Sequence, residues 1–153
     1  MKRSLELTTL SREHHQSLRL ANHCLNIAAA GDREQCRALC QHILRIFDEE
    51  LDPHFRKEEA SIFNITAAMG GEIHDLGLRL AEEHEQMRAM AAKMGQGDCG
   101  KLAAFGKLLK EHTRLEERKL FPLVEAQFSN DQLAQIQEKT QDSPGQHNTC
   151  YQP

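Results

Sequence analysis

The stretch beginning at His54, HFRKEEASIF, returns in outline at His112 as HTRLEERKLF, and both fit the pattern H-x-x-x-E-E-x-x-[IL]-F. A spacing of four residues puts the histidine and the first glutamate on one face of a helix. The apolar residues that flank them share that face, so each copy asks for ionisable groups on a helix stripe turned toward a core. Such groups are costly to bury without a partner. A chain carrying the pattern twice must therefore either expose two amphipathic helices or enclose something positively charged between them.

The rest of the chain reads as helix. There is one Tyr and no Trp, β-branched runs are few, and no stretch alternates with the period of two that a strand requires. Ser11 is placed to cap a first helix running to about Ala29, closed by Gly31 and Asp32. A second helix is expected from Arg33 to Thr66, kinked by Pro53 just before His54. Met69-Gly70-Gly71 ends it. A third helix spans about Ile73–Met94, GQGDCG separates it from a fourth over Lys101–Gln127, and a short fifth covers Asp131–Lys139. The expected architecture is an all-α, up-down-up-down four-helix bundle over residues 1–140, followed by a frayed C-terminal tail over 141–153.

Each long helix has one apolar line, and each line contains a histidine. On the first, Leu18, Ala21, Leu25 and Ala28 extend back to His14, while His15 lies about 100° further round. On the second the line runs Cys36, Cys40, Ile43, Phe47, Leu51, His54, Glu58, Ile62 and Ile65. The third gives Ile73, Gly77, Leu80, His84, Met87, Ala91 and Met94; the fourth gives Phe105, Leu109, His112, Glu116 and, less cleanly, Leu120 and Leu123. In an up-down bundle the second and fourth helices are diagonal, so the two His-Glu pairs would face each other with approximate two-fold symmetry.

Imidazole suits iron, zinc and copper, and carboxylates can bridge two harder ions. Four histidines and two glutamates exceed the needs of one tetrahedral zinc and fit a carboxylate-bridged pair of iron or manganese ions. Such ions would also neutralise the buried carboxylates. A single inward histidine is more often a hydrogen-bonded core residue, and His23, His42, His74 and His147 are read that way or as exposed. Glu59 and Glu117 fall off the inward line. They either orient ligand histidines from outside or, the reading preferred at this level, are ordinary solvated or ion-paired residues.

Composition narrows the function classes. The net charge is -4 and no basic stripe appears, which argues against nucleic acid as a partner. No run approaches membrane-spanning length, and MKRSLELTTL lacks the apolar segment of an export signal. The cysteines at 24, 36, 40, 99 and 150 form an odd set without a CxxC pair, so the simplest expectation is free thiols in a reducing cytoplasm. Cys36 and Cys40 share a helix face and are read as small buried residues rather than soft-metal ligands. GQGDCG matches a dinucleotide fingerprint by letters alone, but a helix rather than a strand precedes it. No E-x-x-H occurs, against the ferritin-like arrangement. The exposed faces of the fourth helix and tail carry no stripe that marks a dimer surface.

At SREHH, HFRKEEASIF, EEHEQMR and HTRLEERKLFP the sequence resembles the hemerythrin-like, HHE cation-binding family, with likeness from about Leu10 to Phe128. The resemblance implies a non-haem di-iron centre, with manganese or zinc as alternatives, bridged by an oxo or hydroxo group. It implies His14, His54, His84 and His112 as nitrogen ligands and Glu58 and Glu116 as bridging carboxylates; His15 and Glu117 are the alternatives to His14 and Glu116. Two features depart from the oxygen carriers of the family: Arg88 stands where they have a further histidine, and Glu116 follows His112 by four residues rather than five. The four-His, two-Glu pattern is similar to di-iron proteins implicated in iron-sulfur cluster repair. The expected role is to bind or sense O2, NO or peroxide, or to handle iron. The alternative is a redox enzyme acting on peroxide or NO, which would need an external electron donor.

Overall fold

The computed structural model describes residues 2–141, and among them every regular element is a helix or helical turn. Helix α1 (Thr8–Ala30) follows a 3-10 turn over Leu5–Leu7. Helix α2 spans 33–66, α3 is Gly71–Gly95, α4 spans 102–127 and α5 is Asn130–Thr140. The tail expected over 141–153 lies, beyond Gln141, outside the described residues. None of the described helices is long and apolar enough to cross a membrane.

The junctions follow local chemistry. Gly31 ends α1 at φ 73°, a left-handed conformation in which a Cβ would be strained. Asp32 then caps α2, its carboxylate accepting from the Glu34 and Gln35 amides at 2.9 and 3.2 Å. Ser129 and Gln132 form a reciprocal capping box at the start of α5. Ser11, expected as the cap of α1, is instead inside the helix, and its hydroxyl donates to Glu117 Oε1 at 2.6 Å.

α2 passes through Pro53 without ending. A π turn over Phe47–Leu51 comes just before it, and a π turn over Glu116–Leu120 stands at the same offset from Pro122 in α4. Proline lacks an amide hydrogen and its ring crowds the carbonyl four residues back. A turn widened by one residue relieves that crowding. A third π turn covers Glu59–Phe63. Each such turn advances the inward line by one residue. Downstream of them Thr66 is buried where Ile65 was expected, and Val124 where Leu123 was expected.

The interior divides in two. One apolar cluster includes Leu20, Cys24, Ile43, Phe55, Met87 and Leu109; the other includes Leu10, Ile62, Leu80, Leu120, Phe121 and Ile136. On every long helix the inward histidine lies in sequence between members of the two clusters. Along α1 the second cluster is met before the first, along α2 the order reverses, and it reverses again on α3 and on α4. A polar layer is thus sealed between two greasy ends.

α1 makes its most extensive contact with α4, and Gly106 permits their close approach. A Cβ there would stand 2.9 Å from Cys24 Cβ and 3.0 Å from the Ala21 carbonyl oxygen. Gly106→Ala should therefore lower stability by about 1–3 kcal/mol through overpacking, read as a lower urea midpoint. An unchanged midpoint would mean that the two helices have room to spare.

Candidate metal centre

The six residues expected to converge do so. His14, His54, Glu58, His84, His112 and Glu116 are each no more than 5% exposed. His15 is exposed, so the inward position on α1 belongs to His14. Two overlapping groups emerge, His14-His54-Glu58-Glu116 and Glu58-His84-His112-Glu116, in each of which one atom per residue lies within 4.8 Å of the others.

The two glutamates are common to both groups. Glu58 Oε1 is 3.1 Å from both His14 Nε2 and His54 Nε2, while its Oε2 is 3.2 Å from His84 Nε2. Glu116 Oε2 is 3.0 Å from His14 Nε2, and its Oε1 is 3.0 Å from His112 Nε2. Each carboxylate therefore reaches toward both histidine pairs. Among the described residues Glu58 Oε2 and both Glu116 oxygens are buried without a hydrogen-bond partner. Buried polar atoms left in that condition need another source of neutralisation.

The outer nitrogens of the same histidines are all taken. His14 Nδ1 lies 2.7 Å from Glu117, His54 Nδ1 2.6 Å from Glu13, His84 Nδ1 2.9 Å from Glu59 and His112 Nδ1 3.3 Å from Glu83. Each contact joins two helices: α1 supplies a carboxylate to α2, α2 to α3, α3 to α4, and α4 back to α1. This ring closes on itself. With Nδ1 donating outward, the neutral imidazole carries its lone pair on Nε2, facing inward. His84 Nε2 and His112 Nε2 stand 3.1 Å apart, close enough to share a proton or to face one cation. Four inward nitrogens and four carboxylate oxygens make a donor set that fits a pair of carboxylate-bridged cations.

A further layer of cations holds the ring. Arg3 Nη2 is 2.9 Å from Glu117, Lys57 Nζ 2.6 Å from Glu13, Arg88 Nη1 2.8 Å from Glu59, and Arg79 Nε 3.7 Å from Glu83. Arg88 also binds Asp52 at 2.7 Å and pairs with Glu85. Both readings of Glu59 and Glu117 hold at once: they are ion-paired to Arg88 and Arg3, and they also contact the outer nitrogens of His84 and His14. Glu13, Arg3 and Lys57 had no assigned part in the sequence reading. A signal was present, since Glu13 and Glu83 each immediately precede an inward histidine and Glu59 and Glu117 each immediately follow an inward glutamate. One residue off the inward stripe is about 100° of rotation, which aims these side chains at the neighbouring helix.

Electrostatics in the absence of metal follow from this packing. Burial alone would lower the His54 imidazolium, but the Glu58 charge and hydrogen bonds to Glu13 and Glu58 raise it to about 9. Burial opposes His112 likewise, and Glu116, Glu83 and Glu58 raise it to about 10. Burial would raise Glu117, yet His14, Ser11 and Arg3 pull it down to about 2. Protons can thus occupy the centre where cations would bind, and metal entry should displace them.

The ring is testable independently of any reaction. Glu117→Gln keeps the shape but removes the charge that fixes the His14 tautomer. It should weaken metal affinity by about 10–100-fold, measured by competition with a chromophoric chelator, while the helical circular dichroism is retained. Unchanged affinity would show that Glu117 plays no part in orienting His14.

A family model described as the hemerythrin HHE cation binding domain matches residues 6–124. No curated protein and no solved structure matches the chain.

Proposed function

The chain belongs to the hemerythrin HHE cation-binding domain family, and from that premise we propose that it is a non-haem di-iron protein that binds or senses a small molecule. His14 and His54 would hold one ion and His84 and His112 the other, with Glu58 and Glu116 placed between the two pairs. The observation that carries this reading is the position of the two shared carboxylates, whose oxygens approach both histidine pairs, with Glu58 Oε2 and both Glu116 oxygens buried without a hydrogen-bond partner among the described residues. The bundle belongs to the same proposal. Alternation of the two apolar clusters along successive helices supports an up-down-up-down path, with a single unit through residue 140.

Iron bound there would supply open coordination positions and a change of charge between ferrous and ferric states. The residues of the chain determine how many positions remain. Arg88 is turned to Asp52, Glu59 and Glu85, Glu83 is turned to the outer nitrogen of His112, and His15 is exposed. None of the three replaces the histidine that oxygen carriers have at the Arg88 position. Four histidines and two shared carboxylates would leave room for solvent or a small molecule on two ions that each prefer about six ligands. That room would favour NO or peroxide reaching both ions over simple reversible O2 carriage. The apolar clusters on either side limit bulk water around the layer, and the cation-paired outer carboxylates keep the four histidines in place during a change of iron charge.

Anaerobic titration of reduced, iron-loaded protein with NO, followed by visible absorption, should give a saturable change at a low integral ratio. No spectral response would contradict small-molecule binding at the centre. A stable, reversible O2 adduct would contradict the open-site reading. Sustained consumption of NO or peroxide with an external electron donor would replace the binding role by an enzymatic one.

A further inference from the structure

The aromatic rings beside two of the inward histidines repeat a scheme that the carboxylates alone do not reveal. His84 lies face to face with Phe55, ring centroids 3.9 Å apart at 12°, and His14 is stacked on Phe121 at 5.2 Å and 18°. One arginine stands over each phenylalanine. Arg88 Cζ is 5.9 Å from the Phe55 centroid, and Arg3 Cζ is 5.2 Å from that of Phe121, both within reach of a cation–π contact. The same two arginines bind Glu59 and Glu117, the carboxylates on the outer nitrogens of His84 and His14. Each of these imidazoles is thus held at its edge by a carboxylate and at its face by a ring, and one guanidinium holds both.

The two clamps differ in origin. Arg88 comes from within α3, whereas Arg3 lies in the non-helical segment ahead of the Leu5–Leu7 turn. Its place on α4 is prepared. In a helix the Glu117 carbonyl would be served by the amide of residue 121 or, in a widened turn, of residue 122. Phe121 N–H instead returns to the Glu116 carbonyl, and Pro122 has no N–H to give. Arg3 Nη2 donates to the Glu117 carbonyl at 2.9 Å and to Glu117 Oε2 at 2.9 Å, and Nη1 pairs with Glu125. A carbonyl, two carboxylates and an aromatic face of α4 converge on one planar fork, a set that suits arginine better than any other cation.

We propose that residues 2–4 form a strap and that Arg3, docked on α4, is a positioning residue that closes Glu117 and Phe121 around His14. The hold on the His14–His54 half then depends on a segment outside the helices, while the other half is held from within α3. The strap orients His14 with or without an ion present. Its consequence for metal rests on the two-ion reading above: the half behind the strap would be the first to give up its ion once docking is lost.

Nuclear magnetic resonance on the metal-free chain tests the strap without any ion, by solvent exchange of the Nδ1–H protons of His14 and His84. Arg3→Gln should speed exchange at His14 by about tenfold or more and leave His84 unchanged. Arg88→Gln should do the converse. Arg3→Lys keeps the charge but not the fork and should fall between. Equal acceleration at both histidines in Arg3→Gln, or no acceleration at either with only a lower Tm, would overturn the proposal, because an arginine that merely ties the segment down would do no more. Zinc, a redox-inert probe, reads the consequence. On extraction by a chelator, Arg3→Gln loaded with two zinc ions should lose one of them about tenfold faster than the parent does, and parent-like loss of both would overturn the strap's hold on metal. Failure of the parent to take up two zinc ions counts against the two-ion reading instead, and proton exchange at His14 still decides the strap.

Discussion

Glu58→Ala should empty the centre of both ions, whereas His54→Ala should weaken chiefly one. The two substitutions differ because of what each side chain touches. Glu58 reaches His14 and His54 with one oxygen and His84 with the other, so its loss removes a donor from both halves and leaves Glu116 as the only carboxylate between four imidazoles. His54 Nε2 approaches Glu58 and its Nδ1 approaches Glu13, all within the half that contains His14. The expected readout is iron per chain after reconstitution and desalting. Glu58→Ala should retain less than about a tenth of the parent content, and His54→Ala should keep a substantial part of it, since one half retains its full donor set. Equal, small losses in both variants would show that the carboxylate does not span the two halves. Both proteins remain helical in this account, because the apolar clusters on either side are untouched, and circular dichroism should confirm that the losses are not caused by unfolding.

Metal removal should destabilise the chain, by an amount that grows as the solution becomes more alkaline. The sign comes from the buried histidines. In the metal-free protein His54 and His112 are raised to about 9 and about 10, above their unfolded values near 6.5. Their imidazolium forms stabilise the fold fully below that unfolded value, and the contribution is lost as pH rises through 9 to 10. The depressed Glu117, at about 2, contributes above ordinary carboxylate pKa values and loses its contribution only in strong acid. Metal loading behaves oppositely across the alkaline range, since it requires unprotonated Nε2 and so tightens as those protons leave. Iron or a redox-inert substitute at about a thousand times its dissociation constant adds about 4 kcal/mol, roughly 10 °C in a chain of this size. The gap in Tm between loaded and chelated protein should widen steadily from pH 6 to pH 9. A gap that is constant or narrows over that interval would mean that protons and metal do not compete for these histidines.

Much of the framework was legible because helical periodicity reports directly on burial. The lines on α3 and on most of α2 contain residues that are in fact buried, and the repeated pattern located the two carboxylates that face inward. On α1 the line was placed slightly off. Leu18 and Leu25 border the core, while Ser17, Leu20 and Cys24 are within it, so the inward face is centred about one residue before the line traced through Leu18 and Leu25. The π turns were not legible. Their one-residue insertion explains why the fourth line became ragged at Leu120 and Leu123. The outer ring was legible only in part: Glu59 and Glu117 were open to a part in orienting histidines, but Glu13 and Glu83 were not, because the ring's members serve histidines on neighbouring helices and helix adjacency is a tertiary fact. Once the bundle is assembled, the Glu-His and Glu-Glu pairs in the sequence read as one scheme, each inward residue accompanied by a neighbour turned to the next helix.

The central claim is that two cations sit within the buried histidine-glutamate layer and share its carboxylates. X-ray absorption at the iron edge on reconstituted protein tests this most directly. The expected result is a coordination sphere of nitrogen and oxygen alone, with imidazole scattering and a metal–metal vector of roughly 3–4 Å. A sphere containing sulfur would place the metal among the cysteines, and nitrogen and oxygen ligands without a metal–metal vector would reduce the centre to a single ion; either result would contradict it.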